Sequence, residues 1–265
     1  MFKTILLATL LLLTPQLLMA DATPQGVLTH DSAIAKIMKL SGIDAKIPTL
    51  SQELITSFDP YIQQYSKAKA MKMTISVLEA FDKDTMIKTI RNEISQNISL
   101  EETLPIMRWY QSDIGREITK IEKKATNDQN VDALFAKKER LLKSKERVYL
   151  CIEIEKQAHI IDTLVNTQIE IMKSSLKVSQ PKLDDKTVDS YFTTMRTTVK
   201  SAIEEPTILS LLKAYENIDV EKMKKYIAFL SRPTTQKLLI SANTGISKAV
   251  DNGTNMIAKV VKEIK

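Results

Sequence analysis

Apolar residues recur along this chain at the three-to-four-residue spacing of amphipathic helices, with polar runs between the stretches. Asp31 or Ser32 is placed to cap a first helix with Ile34, Ile37, Met38 and Leu40 on one face, and Gly42 is placed to end it. A second helix is expected to open near Pro48 and to bury Leu50, Leu54, Ile55 and Phe58; Pro60 should kink or break it. From Tyr61 to Ala80 the pattern resumes, with Ile62, Tyr65, Met73, Val77 and Phe81 inward. Met86, Ile87, Ile90 and Ile94 predict a helix over 82–97. Ser99 caps the next, with Glu101 and Glu102 near its positive pole and Leu104, Ile106 or Met107, and Tyr110 on its inner face. Ser112 or Asp113 starts another through Ile114, Ile118 and Ile121, and Thr126 to Gln129 reads as a polar turn.

Val131 to Lys177 contains neither proline nor glycine, and predicts one very long helix or two with a bend. Ser179 to Lys182, with Pro181, is a linker: a domain boundary or a plain helix connection. Asp184 or Asp185 then caps a helix through Val188, Phe192, Met195 and Val199. Pro206 is expected to open one with Leu211 and Leu212, Asp219 to cap one through Met223 and Tyr226, and Pro233 to open one through Leu238 and Ile246. Asp251 to Thr254 reads as a turn before a last short helix. In that helix Met256, Ile257, Val260, Val261 and Ile264 oppose Lys259, Lys262 and Lys265, which suits docking on the bundle or contact with an envelope surface. The expected fold is an all-α bundle of about ten helices around a long central one. Its units are 31–178 and 183–265, or one continuous domain.

Two segments match at an offset of 120 residues. Asn97-Ile98-Ser99-Leu100-Glu101 aligns with Asn217-Ile218-Asp219-Val220-Glu221, Ser and Asp being the same capping solution. Downstream, Ile106 falls on Tyr226, Trp109 on Phe229, Tyr110 on Leu230 and Ile118 on Leu238. The chain thus reads as two related helical hairpins. The segment from Trp109 through Tyr110, Ser112, Asp113 and Gly115 to Ile118 resembles the aromatic–Tyr–x–Ser–Pro–x–Gly–x–Lys hairpin of the bacterial domain of unknown function 2059. Phe229 to Leu238 resembles a second, looser copy, and Met38 to Ile43 resembles the start of such proteins. Asp113 stands where that hairpin has Pro, and the second copy lacks the Gly and shifts its Pro. The resemblance implies an exported helical protein and lends no catalytic residue. Gly115 itself suggests a close backbone approach at the hairpin corner.

Residues 1–20 have the layout of a secretory signal peptide: Lys3, an apolar stretch from Ile5 to Leu13, and small Ala20 before Asp21. The apolar stretch is shorter than the roughly 20 residues a bilayer span needs. Cleavage after Ala20, a flexible lead-in over 21–30 and a periplasmic location are the expectation. The charge of +6 is spread among acids along helices, without the basic patch and interleaved aromatics of a nucleic-acid binder. Five glycines and few aromatics argue against a β-sandwich or barrel. Cys151, the one cysteine, excludes an internal disulfide and reads as a small buried hydrophobe.

The sequence carries little that resembles a catalytic or metal-binding pattern. His159 lies four residues after Glu155 and three before Asp162, a thin ligand set for zinc. Cys151 and His159 are two turns apart if their helix is unbroken, which prevents pairing. Phosphate loops, His-Glu-x-x-His and Cys-x-x-Cys are missing from the sequence. The chain is therefore expected to act by binding, without catalysis, metal or cofactor. Its partner would be a protein or envelope component, with peripheral membrane contact possible. A surface groove near Trp109, Tyr110, Tyr226 and Phe229 is the candidate site, and a carrier of an apolar small molecule or lipid between helices is the alternative.

Overall fold

The computed structural model describes residues 28–127, 131–180 and 182–264, and regular structure among them is entirely α-helical. The expected leader, nearly all of the lead-in, Pro181 of the linker and Lys265 lie outside the described residues. Thr29 caps α1 (His30–Ser41), trading hydrogen bonds with Ser32 in a capping box, two or three positions earlier than expected. Gly42 then turns the chain in the left-handed region, φ 72°, and α2 (Ile43–Ser57) starts at once, so Pro48 lies inside it. The short α3 (Asp59–Ile62) follows, carrying Pro60 in its first turn. Next come α4 (Lys67–Ala80) and α5 (Lys83–Asn97), the latter capped by Asp82. Ser99 and Glu102 form the box that opens α6 (Leu100–Gln111), and Ser112 Oγ accepts from the Gly115 amide at the start of α7 (Asp113–Asn127).

The long central helix expected over 131–177 is divided into α8 (Val131–Phe135), α9 (Lys138–Leu141), α10 (Lys145–Ala158) and α11 (Ile160–Ser179). The break between the last two is His159, φ 54°, the one non-glycine residue with positive φ among those described. The longest helices lie elsewhere: α12 (Asp185–Ala214) and, after α13 (Val220–Leu230), α14 (Pro233–Ile264). Pro206 sits inside α12 and the turn expected at 251–254 is continuous helix. Gly253 serves helix packing instead: a Cβ there would fall 2.5 Å from Phe81 Cε1.

Six of these helices have counterparts later in the chain. The corner α1–Gly42–α2 has its counterpart in α10–His159–α11, 117 positions later, each hinged on one left-handed residue. At an offset of 120, α4 and α5 become the single α12, α6 becomes α13 and α7 the start of α14. Pro206 falls at Met86, in the first turn of α5, where a proline is tolerated. Packing repeats too: α1 lies on α6 as α10 lies on α13, and α2 on α5 as α11 on α12. In each unit a basic side chain early in the first helix donates to the carbonyl of the isoleucine before the fourth. His30 Nε2 reaches Ile98 O at 2.6 Å, and Arg147 Nη1 reaches Ile218 O at 2.9 Å.

The units are joined by exchange of their last helices. α14 packs on α4 and α5 of the first unit, and α7 packs on α12 of the second. A two-fold relation requires that a contact between i and j be matched by one between their counterparts. Lys222 bonds Glu117 at 2.6 Å; the counterparts are Glu102 and Lys237, which bond at 2.5 Å. Trp109 and its own counterpart Phe229 stack with centroids 4.6 Å apart and planes 10° from parallel, as residues on such an axis must meet. The expected pair of related hairpins is thus the core of a larger internal repeat.

Candidate functional site

The four aromatic residues expected to line a groove are brought together, but inside the molecule. Trp109 stacks on Tyr226 at 6.2 Å as well as on Phe229, and Tyr110 meets Phe229 edge-on at 5.4 Å. Tyr110, Tyr226 and Phe229 are buried and Trp109 is half-buried, so the expected surface is an interior seam between units. The reason is the pairing itself: aromatic faces on α6 and α13 satisfy each other, each contact adding about 0.5–1.5 kcal/mol beyond burial. Gly115 lets the α6–α7 corner close, since a Cβ would fall 2.1 Å from Trp109 O. In the second corner the same position is Thr235, fully buried, its hydroxyl without a hydrogen-bond partner among the described residues.

Beside the stack lies a polar cluster that sequence reading missed. Glu122 on α7 and Lys46 on α2 are both buried. Tyr215 donates its hydroxyl to Glu122 Oε1. Burial, then the charge of Glu122, pushes the hydroxyls of Tyr110, Tyr215 and Tyr226 well above the usual tyrosine range. Burial drives the Lys46 ammonium well below its usual range, against the pull of Glu122. A signal existed for both charges: Glu122 continues the inner row of Gly115 and Ile118, and Lys46 lies between buried Ile43, Ile47 and Leu50. The bond from Tyr215 to Glu122 ties α7 of the first unit to the end of α12 in the second, inside the seam.

The remaining candidates have local roles. His159 Nε2 donates to Gln236 Oε1 at 2.7 Å, and Gln236 Nε2 donates to the carbonyls of Gln157 and Leu230. Glu155 accepts from the Ile161 amide, holding the left-handed corner closed. Cys151 is fully buried and its thiol is pushed up to about 12 by burial. Among the described residues no group of three or more His, Cys, Asp or Glu side chains is placed to hold a metal ion. Most of the apolar face of the C-terminal helix is used by the bundle: Ile257, Val261 and Ile264 are buried and Val260 is half-buried, which leaves Met256 exposed.

One helix presents apolar side chains outward in series. In α4, Met73, Val77 and Ala80 face the core as expected. Met71, Ile75 and Leu78 are 67, 47 and 50% exposed. At 3.6 residues per turn they lie within about 60° of one another, opposite the buried row. The signal was a second i, i+4, i+7 row in one helix, passed over because the first row accounted for packing. On α14, Gly253 meets Phe81 and Glu263 bonds Lys72 at 2.9 Å, so α14 runs antiparallel beside α4. Exposed Met256, one turn on from Gly253 and in line with Glu263, extends the apolar face.

Comparison of the chain with family models, curated proteins and solved structures gives no match. Among the described residues no helix is long and apolar enough to cross a membrane.

Proposed function

We propose that the chain is an exported helical protein of the cell envelope that acts by binding, and that the outward face of α4 is its contact surface. The observation that carries this reading is the row Met71, Ile75 and Leu78, set in water on a helix whose other face already fills the core. Scattered exposed apolar residues need no explanation, but a contiguous row on one helix marks an interaction site. The leader pattern of residues 1–20 and the hairpin resemblance around Trp109 support the compartment. The buried seam supports a passive scaffold, because its tyrosines, Glu122 and Lys46 lie out of reach of a solute.

Site-specific photocrosslinking in the native host tests this. A crosslinker at Ile75 is expected to give discrete adducts, and one at exposed Thr198 on α12 is expected to give none. Equal labelling from both positions, or none from either, contradicts the reading. Export is checked separately: the mass of the protein from cells should begin at Asp21, and an intact Met1 excludes it.

A further inference from the structure

This inference rests on the reading of α4 as the contact surface and names what it contacts. Lys67 and Lys69 stand in the first turn of α4, where no acid stands and Ser66 makes no side-chain cap. Cations there add to the positive pole of the helix dipole, so they cost local stability. Lys72 follows one turn on, and antiparallel α14 brings exposed Lys259 and Lys262 to the same end, with Glu263 the acid facing Lys72. At 3.6 residues per turn Lys67 lies about 40° from Met71, within the outward face, Lys72 about 100° to its flank and Lys69 on the far side, so the apolar side chains emerge with ammonium groups at one end and along one flank. The second unit has the opposite character. Asp184 caps α12, Asp185 lies in its first turn and Asp189 follows one turn on, each of the last two bonded to a lysine of α11. The basic and apolar combination therefore belongs to the first unit and is no general consequence of the fold.

We propose that this face of α4 seats the protein on an anionic phospholipid surface, with the lysine ammonium groups against lipid phosphates and Met71, Ile75 and Leu78 among the upper acyl chains. A juxtaposed apolar row and basic cluster fits that interface better than a neutral membrane, since each surface lysine strengthens attraction to anionic lipid.

The test is flotation of the purified chain with vesicles of phosphatidylcholine alone or mixed with phosphatidylglycerol. The chain is expected to float with the mixed vesicles at low salt, to release as salt rises, and to stay down with phosphatidylcholine. M71S/I75S/L78S and K67E/K72E should each weaken binding by about tenfold or more. Thermal melts by circular dichroism check that both variants fold, and the charge variant leaves the apolar row intact. Wild-type protein that stays down with mixed vesicles, or variants that float as it does, overturns the proposal. Sedimentation showing a dimer that the apolar variant dissociates would assign the face to a second copy and also overturn it. If vesicles are ignored while Ile75 crosslinks to a protein in cells, the lipid assignment falls and the contact surface stands; if both fail, both fall.

Discussion

The two repeated units share a plan and differ where they meet solvent. Their matched interior positions remain in use: Trp109 on Phe229, Lys222 on Glu117 as Glu102 on Lys237, His30 on Ile98 as Arg147 on Ile218. Outside, the stretch that forms α4 and α5 in one unit is a single helix in the other, with Lys67 and Lys69 in the opening turn of the first and Asp185 in that of the second. Packing constrains the interior positions of both units, because they are stacked or paired against each other across the axis. The outer faces carry no such constraint. They are where one unit acquired a basic, apolar surface and the other an acidic one tied down by α11.

The comparison breaks most sharply at the hairpin corners, where matched positions hold Gly115 and Thr235. Gly115→Ala sets a Cβ against the Trp109 carbonyl, backbone that cannot yield, and should cost about 3 kcal/mol or more. Thr235→Ala removes a buried hydroxyl that lacks a hydrogen bond, and should cost less than about 1.5 kcal/mol. Urea unfolding of the two variants reads the difference; equal losses would show that the corners are closed in the same way.

Alkaline pH sharpens the account of the seam. Tyr110, Tyr215, Tyr226 and Cys151 are all held protonated by the fold. Unfolding lets each lose its proton near its ordinary value, so the unfolded state binds fewer protons and stability falls as pH rises from about 9. Lys46 acts in the opposite sense: its folded value is lowered, so stability rises towards its ordinary value as the unfolded state sheds that proton. Four groups outweigh one, and the net is a loss. Tyr226→Phe should make that loss shallower above about pH 10 in pH-resolved urea titrations, and an unchanged slope would contradict a buried, protonated Tyr226.

The smallest effect expected is in the paired ion bridges. Both pairs are partly solvated, and double-mutant cycles should give about 0.2–1 kcal/mol for each, falling with salt. Similar values would fit a two-fold relation; a pair with no coupling beside one above that range would break it.

Several helix caps were legible in the chain because capping is local chemistry: Ser99 and Asp219 act where their spacing placed them, and Asp184 is the one of the two expected candidates that caps α12. So was the match between Ser99 and Asp219, which led to the repeat. The break at His159 was not, since the left-handed corner is held by Gln236 and Glu155, one of them 77 residues away. Pro48 and Pro206 read as helix starts but lie within helices, where neighbouring packing outweighs one lost hydrogen bond. The aromatic cluster was found as a set of residues and misplaced as a surface, because a sequence shows which side chains share a face but not what covers it. The outward row of α4 was hidden for the converse reason.

Hydrogen exchange with and without phosphatidylglycerol-containing vesicles tests the central claim most directly, because one spectrum reports both units. The amides of 67–80 on α4 should exchange more slowly when vesicles are present, while those of 187–200 on α12 stay unchanged. Protection confined to α12, or no change in α4, would contradict the assignment of the contact surface to the first unit.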